Sequence, residues 1–228
     1  MKKLIASVVL ITLVFCFFPY QRAKAFGFGC YTGFNVGSGS MYHEFADGYR
    51  DYNPNVNGFN IGFLMDTKVK ENKLINYRLN VGFSYASYGS YLVTHRSSDY
   101  TYQYLDVDDA SYVGVEIDNT IGFGFFKDKS MRLWAGPKFK IRLQRGSGTT
   151  RRIYENNDSW TGPWISLGGA PVVGSNFHLS ERLSLCADVG FNMLYCGGVR
   201  YGKLHDREAQ GLEYGFFFNV SVLFHKEK

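Results

Sequence analysis

After residue 18 the chain has no apolar run long enough to cross a membrane as a helix, which takes roughly 20 residues. Proline is scarce, with 5 in 228 residues, and no linker, repeat or second domain breaks the sequence. Cysteine is scarce too. Beyond Cys16 only Cys30, Cys186 and Cys196 remain, an odd number that leaves at least one thiol free in an oxidising compartment. Cys186 and Cys196 lie on one predicted strand, about 33 Å apart when extended, and cannot bond to each other. The three read as small apolar fillers without metal-ligand spacing, and no cofactor is implied. Net charge is nearly absent once the first 25 residues are set aside. They hold Lys2, Lys3, Arg22 and Lys24 and no acid, so the formal +5 falls to +1. The basic character of the whole chain is therefore no argument for nucleic-acid binding.

Those 25 residues read as a secretory signal peptide. Lys2 and Lys3 precede an apolar stretch from Leu4 to Phe18, and Ala23-Lys24-Ala25 follows with small residues where cleavage needs them. About 15 apolar residues are too few for a membrane anchor. Phe15 before Cys16 occupies a position where a lipoprotein site needs a small residue. Residues 26–228 are then one exported domain.

What is present is alternation. Val113, Val115, Ile117, Ile121, Phe123 and Phe125 interleave with Tyr112, Gly114, Glu116, Asp118, Thr120, Gly122 and Gly124. After Lys127-Asp128-Lys129 the pattern resumes, with Met131, Leu133, Ala135, Pro137, Phe139, Ile141 and Leu143 set against Arg132, Trp134, Gly136, Lys138, Lys140, Arg142 and Gln144. A period of two means strands with opposite faces, here one apolar and one mixing glycine with full charges. The same signature marks strands about Phe28–Val36, Phe59–Met65, Tyr77–Tyr85, Leu183–Tyr195 and Leu212–Phe224. A weaker one spans Trp164–Val173, where Gly168, Gly169 and Pro171 predict a bulge or bend. The total is eight. Connectors alternate in length: about 67–73, 127–129 and 174–181 are short, and about 39–56, 89–110, 145–160 and 197–210 are long and polar.

The fold class this predicts is all-β, an antiparallel up-and-down transmembrane β-barrel of eight strands with both mature termini on the short-turn side. A soluble secreted barrel of the lipocalin type, apolar inside, is the rival. Three features favour lipid outside. The apolar face is continuous over a membrane-spanning length. Tyr85, Tyr195, Tyr214 and Trp164 at the long-loop ends, with Phe28, Phe63, Phe125 and Phe224 at the short-turn ends, would form two aromatic girdles. The glycine-rich opposite face suits a narrow lumen. With its leader, alternating strands, alternating connector lengths and aromatic last strand, the chain resembles the small outer-membrane barrels of the OmpA and OmpX type. The resemblance covers residues 26–228. It implies a Gram-negative-type outer membrane, contact with its lipid and lipopolysaccharide, and handling by periplasmic chaperones and the barrel-assembly machinery. In that family a terminal aromatic residue resembles an assembly signal; here Phe224 is followed by His225-Lys226-Glu227-Lys228.

Inside such a barrel the polar parity puts Arg78, Glu116, Asp118, Lys138, Lys140 and Arg142 on the lumenal face. A three-residue turn at 127–129 predicts that Glu116 opposes Lys140 and Asp118 opposes Lys138. Two uses follow: a charged constriction lining a narrow channel, or a salt-bridged plug in a lumen only just wide enough for its side chains. The plug is the expected reading.

No catalytic set emerges. His43-Glu44 and His205-Asp206 are adjacent pairs, whose members point to opposite faces. His178, Ser180 and Glu181 have suitable types but fall at a periplasmic turn. The protein is therefore read as a non-enzyme, with a lipid-modifying barrel as the third possibility. The long connectors offer an interaction surface in Tyr91, Tyr100, Tyr102 and Tyr104, beside Asp99, Asp106, Asp108 and Asp109. The acidic spacing matches no calcium loop. Arg151 and Arg152 could meet lipopolysaccharide phosphates. An ordinary solvated loop is the plainer account of both. The function expected is structural or surface-interacting, through four long extracellular loops and toward an unidentified surface ligand.

Overall fold

The computed structural model describes residues 26–45, 48–67, 74–89, 91–96, 101–151, 158–202 and 206–225. Side chains are described for 27–42, 53–67, 74–89, 110–149, 159–202 and 208–225. Ten strands form: β1 (Phe26–Phe45), β2 (Gly48–Tyr52), β3 (Asn55–Thr67), β4 (Ile75–Gly89), β5 (Tyr91–Arg96), β6 (Thr101–Lys127), β7 (Met131–Arg151), β8 (Asp158–His178), β9 (Leu183–Gly202) and β10 (Asp206–His225). Eight of them, β1, β3, β4, β6, β7, β8, β9 and β10, pair in that order, and β10 pairs back onto β1 from Phe28↔Phe224 to His43↔Ala209. The ring is closed, so no unpaired edge faces lipid, where an unsatisfied backbone group costs several kcal/mol. Residues 1–25, read as the signal peptide, lie outside the described residues.

The two extra strands are continuations of the ring. β2 leads through Asn53-Pro54 into β3, and β4 leads through residue 90 into β5. Pro54 has no N–H for a ladder and its carbonyl instead accepts from Gly39 N at 2.9 Å. Beyond the break β2 pairs with β1 and β5, and β5 with β6, so the wall continues upward.

The stretches predicted as long loops are thus mostly wall. β1 reaches residue 45, β6 begins at 101, β7 ends at 151, and β9 and β10 meet across only 203–205. A strand of 20 residues at about 3.3 Å per residue, tilted about 40°, stands about 50 Å tall. A membrane's apolar band covers about 25 Å of that.

The excess height has its own chemistry. Over the lower part of the wall the outward side chains are apolar, among them Phe28, Phe34, Phe63, Phe83, Val115, Phe139, Val189 and Phe216, all well exposed. Past Val36, Tyr85, Val113, Leu143 and Leu212 the outward positions turn polar, as at Ser40, Asn57, Arg145, Ser147, Ser159, Glu208 and Gln210. The inward side chains change in the opposite sense. Below that line charged and amide groups dominate, with smaller apolar clusters around Leu64 and Trp134; above it they are Met41, Val56, Ala86, Tyr88, Ala110, Tyr112, Trp160 and Ala209, buried as one apolar cluster. The lower barrel is polar inside and apolar outside, and the upper collar is built like a water-soluble domain. Charges at the centre of the lower barrel dispose of the lipocalin-type alternative.

Two local expectations need correction. Trp164 belongs to no girdle: it points inward and is 3% exposed, because even positions of β8 face the lumen. β8 carries no bulge at Gly168, Gly169 and Pro171. Its register with β7 and β9 is unchanged across them, and Pro171 sits opposite Pro137, two residues without N–H placed together.

The change of outward chemistry within one strand sets an expected pair of outcomes. Phe139→Arg should destabilise the barrel by about 2–4 kcal/mol, the cost of a cation at midplane depth. Ser147→Arg, on the same face of β7 but in the collar, should stay within about 0.5 kcal/mol. Urea titration in lipid vesicles measures both, and equal effects would place the two residues in one environment.

Candidate functional site

The lumen is the one place where this sequence concentrates chemistry. Inward positions of adjacent strands converge there, and an eight-stranded wall leaves only the space its own side chains fill. Glycines supply much of that space. A Cβ at Gly174 would lie 2.2 Å from the Trp134 ring, and one at Gly122 2.9 Å from its other side.

Nine of the buried charges form a single alternating ladder, and Arg132, also buried, donates instead to Asn76 Oδ1 at 3.2 Å and Leu74 O at 3.4 Å. Near the short turns, Asp66 on β3 takes the Arg78 guanidinium at 2.8 Å. Arg78 also reaches Asp188 on β9 at 3.2 Å. Asp188 accepts from Lys138 Nζ at 3.0 Å, and Lys138 lies 3.5 Å from Asp118. Asp118 is 3.6 Å from Lys140, which is 3.1 Å from Glu116. Glu116 accepts from Arg142 Nε at 2.8 Å, and Arg142 Nη1 donates to Glu213 on β10 at 2.7 Å. The ladder ends where Tyr88 Oη donates to Glu213 at 2.6 Å. None of these charged side chains is more than 5% exposed.

Amides and rings surround the ladder and bond to several of its members. Asn60 donates to Glu116 at 2.8 Å and Asn219 to Asp188 at 2.9 Å. Asn176 accepts from both Arg78 and Trp134 Nε1, at 3.0 and 3.1 Å. Lys138 Nζ sits 4.2 Å from the Phe217 ring centre and Arg78 5.0 Å from that of Trp134, within cation–π range.

Both ends are stoppered. Toward the collar Tyr112 packs on Tyr88 at 4.7 Å between ring centres, on Trp164 at 5.1 Å and on Trp160 at 6.0 Å. Arg200 stacks 4.0 Å over Trp160 and donates to Tyr112 Oη at 3.2 Å. Toward the turns Tyr31, Leu64, Cys186 and Leu223 close the lumen as a second apolar cluster.

The six charges selected from the sequence, Arg78, Glu116, Asp118, Lys138, Lys140 and Arg142, all lie in this ladder. Their register differs from the predicted one. Glu116 directly opposes Arg142, and Asp118 opposes Lys140. The turn is the four residues Asp128–Met131, closed by Asp128 N donating to Met131 O at 2.8 Å. It moves the register by three residues, and a bulge between Gly124 and Phe126 takes one back. The net shift of two preserves the faces, so Glu116–Lys140 and Asp118–Lys138 touch as diagonal neighbours.

Three acids of the ladder, Asp66, Asp188 and Glu213, were not selected. Parity marks all three: each follows an outward apolar residue, Met65, Ala187 or Leu212. Tyr100 and Arg152 lie outside the described residues. Tyr91 in β5, Tyr102 and Tyr104 in β6 and Arg151 in β7 have backbone positions only; Tyr91 pairs with Asp106, Val93 with Tyr104 and His95 with Tyr102.

At the turn end, Ser184 bridges two imidazoles, 2.8 Å from His178 Nδ1 and 2.7 Å from His225 Nε2. These are nucleophile-and-base residue types, and Ser184 is 0% exposed. The trio ties β8, β9 and the end of β10 together. Ser180, of the predicted set, accepts only from Arg182 N, at 3.2 Å, among the described residues.

Arg142 stands between Glu116 and Glu213, on two different strands. Arg142→Ala should cost about 3–5 kcal/mol, since it strands two buried carboxylates. Adding Glu213→Ala should recover part of that loss, with a coupling above about 0.5 kcal/mol. The measurement is a double-mutant cycle by urea unfolding in micelles; strict additivity would mean that water screens the pair.

No protein-family model and no curated protein sequence matches the chain. Solved structures do. OprG of Pseudomonas aeruginosa, an outer-membrane protein, aligns over 90% of this chain and 97% of its own at 8% identity, with a TM-score of 0.53. The outer-membrane protease OmpT of Escherichia coli aligns over 90% and 98% at 9% identity, TM-score 0.43. Ail, the attachment invasion locus protein of Yersinia pestis, aligns over 83% and 98% at 14% identity, TM-score 0.28. The likeness to OprG is one of fold. With the apolar lower wall and the closed ring already described, the chain is an outer-membrane β-barrel.

Proposed function

We propose that this protein acts at its collar and not through its lumen. It is a sealed barrel that anchors a rigid β-walled platform above the outer membrane for contact with a partner at the cell surface. The ion-pair ladder carries this reading. A transport path would have to pass Asp66, Arg78, Asp188, Lys138, Asp118, Lys140, Glu116, Arg142 and Glu213, each held by partners on other strands. It would then meet the Tyr88, Tyr112, Trp160 and Trp164 stopper. Opening would unpair several buried charges at once, at several kcal/mol for each.

The collar supports the other half. A wall about twice the height of the apolar band rises well beyond what spanning the lipid needs. Its strands run on to Arg96, Arg151 and Gly202, so the described collar is continuous β-wall. Both ends of the described chain lie beside the short turns, which supports a collar on the cell exterior.

The refolded protein should give no stable conductance steps in planar bilayers and no turnover of phospholipid or lipopolysaccharide. An epitope tag inserted after residue 156 should be detected on intact cells, and one after Asp128 only after permeabilisation. Stable steps would replace this reading with the narrow channel, and lipid turnover with the enzyme. Labelling at Asp128 on intact cells would reverse the orientation.

A further inference from the structure

At the short-turn end of the lumen, three adjacent strands each bring one donor atom to the same point. His178 on β8, Ser184 on β9 and His225 on β10 continue the inward parity of Asn176, Cys186 and Leu223, all fully buried. His178 pairs directly with Ser184, and His225 follows Phe224, which pairs with Leu183. Nδ1 of His178 and Nε2 of His225 stand 2.8 and 2.7 Å from the Ser184 hydroxyl. The two ring centres are 6.4 Å apart, with their planes at 62°.

Backbone hydrogen bonds hold all three residues in place. His178 N donates to Ser130 O at 2.7 Å and His225 N to Arg182 O at 2.8 Å. Leu179 N and Ser180 N both donate to Leu183 O, at 3.0 and 3.1 Å, which closes the turn ahead of Ser184. Gly27 pairs with His225 and puts no side chain beside it. Both imidazoles are half-buried, while Tyr31, Leu64, Cys186 and Leu223 close the lumen behind them. The trio is therefore reached from the turn end.

We propose that this mouth binds one divalent transition ion, Zn²⁺ or Cu²⁺, through His178 Nδ1, His225 Nε2 and the Ser184 hydroxyl. Donor type selects the ion class. Neutral imidazole suits Zn²⁺ and Cu²⁺, whereas Ca²⁺ and Mg²⁺ take oxygen ligands. No group of three His, Cys, Asp or Glu forms among the described residues, so the third protein ligand is the hydroxyl. Spacing favours the ion as well. In a tetrahedral site with bonds of about 2.0–2.1 Å, donor atoms stand about 3.3 Å apart. Both nitrogen–oxygen separations are within about half an ångström of that edge, so the hydroxyl need only yield slightly for an ion to enter between the rings. Ser184 can give its proton to one ring nitrogen alone, so the other turns an N–H toward it. That ring passes the proton to its second nitrogen when the ion binds, and both imidazoles ligate in the neutral form. Water completes the fourth corner. The bound ion clips β8 to β10 across β9, at the end of the strand that closes the ring. The site is the same whichever side of the membrane the collar occupies.

The test is isothermal titration of Zn²⁺ into the refolded, tag-free barrel in detergent. One ion should bind per barrel, and equal concentrations of Mg²⁺ or Ca²⁺ should not displace it. His178→Gln and His225→Gln should each lower the affinity at least about tenfold, and Ser184→Ala several-fold. Glutamine keeps an amide for the Ser184 hydroxyl, and heat-modifiable gel migration checks that each variant folds. Replacing His43, His95 and His205 together by glutamine should leave the affinity unchanged. Zn²⁺ should raise the urea midpoint of wild type and leave unmoved that of the double variant His178→Gln with His225→Gln. With Cu²⁺, the electron paramagnetic resonance spectrum of wild type should show splitting from two nitrogens, and the double variant should lose it. The proposal is overturned if no ion binds, if the double variant takes Zn²⁺ as wild type does, if Mg²⁺ competes equally, or if the His43, His95 and His205 replacements abolish binding.

Discussion

Glu116, Asp118, Lys138 and Lys140 are enclosed by a wall that is itself enclosed by lipid, so every charge must find its opposite within the lumen. That requirement organises the lower barrel. Acids and bases alternate from Asp66 to Glu213, across six different strands, with no two bases adjacent in the ladder. Such pairs contribute little net stability against an apolar filling, because desolvation offsets much of their attraction. What they specify is register. A two-residue slip between β6 and β7 keeps every side chain on its proper face and leaves the apolar exterior intact, yet it moves Asp118 away from Lys140 and Glu116 away from Arg142. The ladder separates arrangements that hydrophobic matching alone treats as equivalent.

This is also where reading the chain by parity reached its limit. Parity assigns faces, and Arg78, Glu116, Asp118, Lys138, Lys140 and Arg142 are on the lumenal face in the folded protein. Register depends on the turn and on a bulge at Gly124–Phe126, and neither leaves a signal in the alternation. The eight wall strands were legible for the same reason as the faces. Their upper halves were not. At Met41, Val56, Tyr88 and Tyr112 the apolar residues move to the inward parity, so a search for one continuous outward stripe sees the strand end there. Trp164 fell at that crossing and was assigned to the wrong side. Asp66, Asp188 and Glu213 were readable by parity, but the turn-based argument looked only at neighbours of β6 and β7.

The crossing line gives the molecule two solvents and two opposite rules of burial. Below it, ion pairs inside and phenylalanines outside; above it, tyrosines and tryptophans inside and serines outside. The two interiors meet at Glu213, which takes Arg142 from the ladder and the Tyr88 hydroxyl from the aromatic cluster. A carboxylate thus couples the packing of the collar to the electrostatics of the membrane-embedded half. Pro54 and Pro163 interrupt their ladders close to this boundary, where a missing N–H can be answered by water more readily than in hydrocarbon.

The collar also determines how readily the barrel could leave the membrane once inserted. Ser40, Asn57, Arg145, Ser147, Ser159, Glu208 and Gln210 lie on the outer surface of β1, β3, β7, β8 and β10. Passage of the collar through the membrane would drag those hydrated groups through about 25 Å of hydrocarbon, with at least one cation and one carboxylate stripped of water on the way. The polar ring therefore works as a barb. It opposes extraction in proportion to the number of groups it carries, whatever the equilibrium stability of the folded barrel.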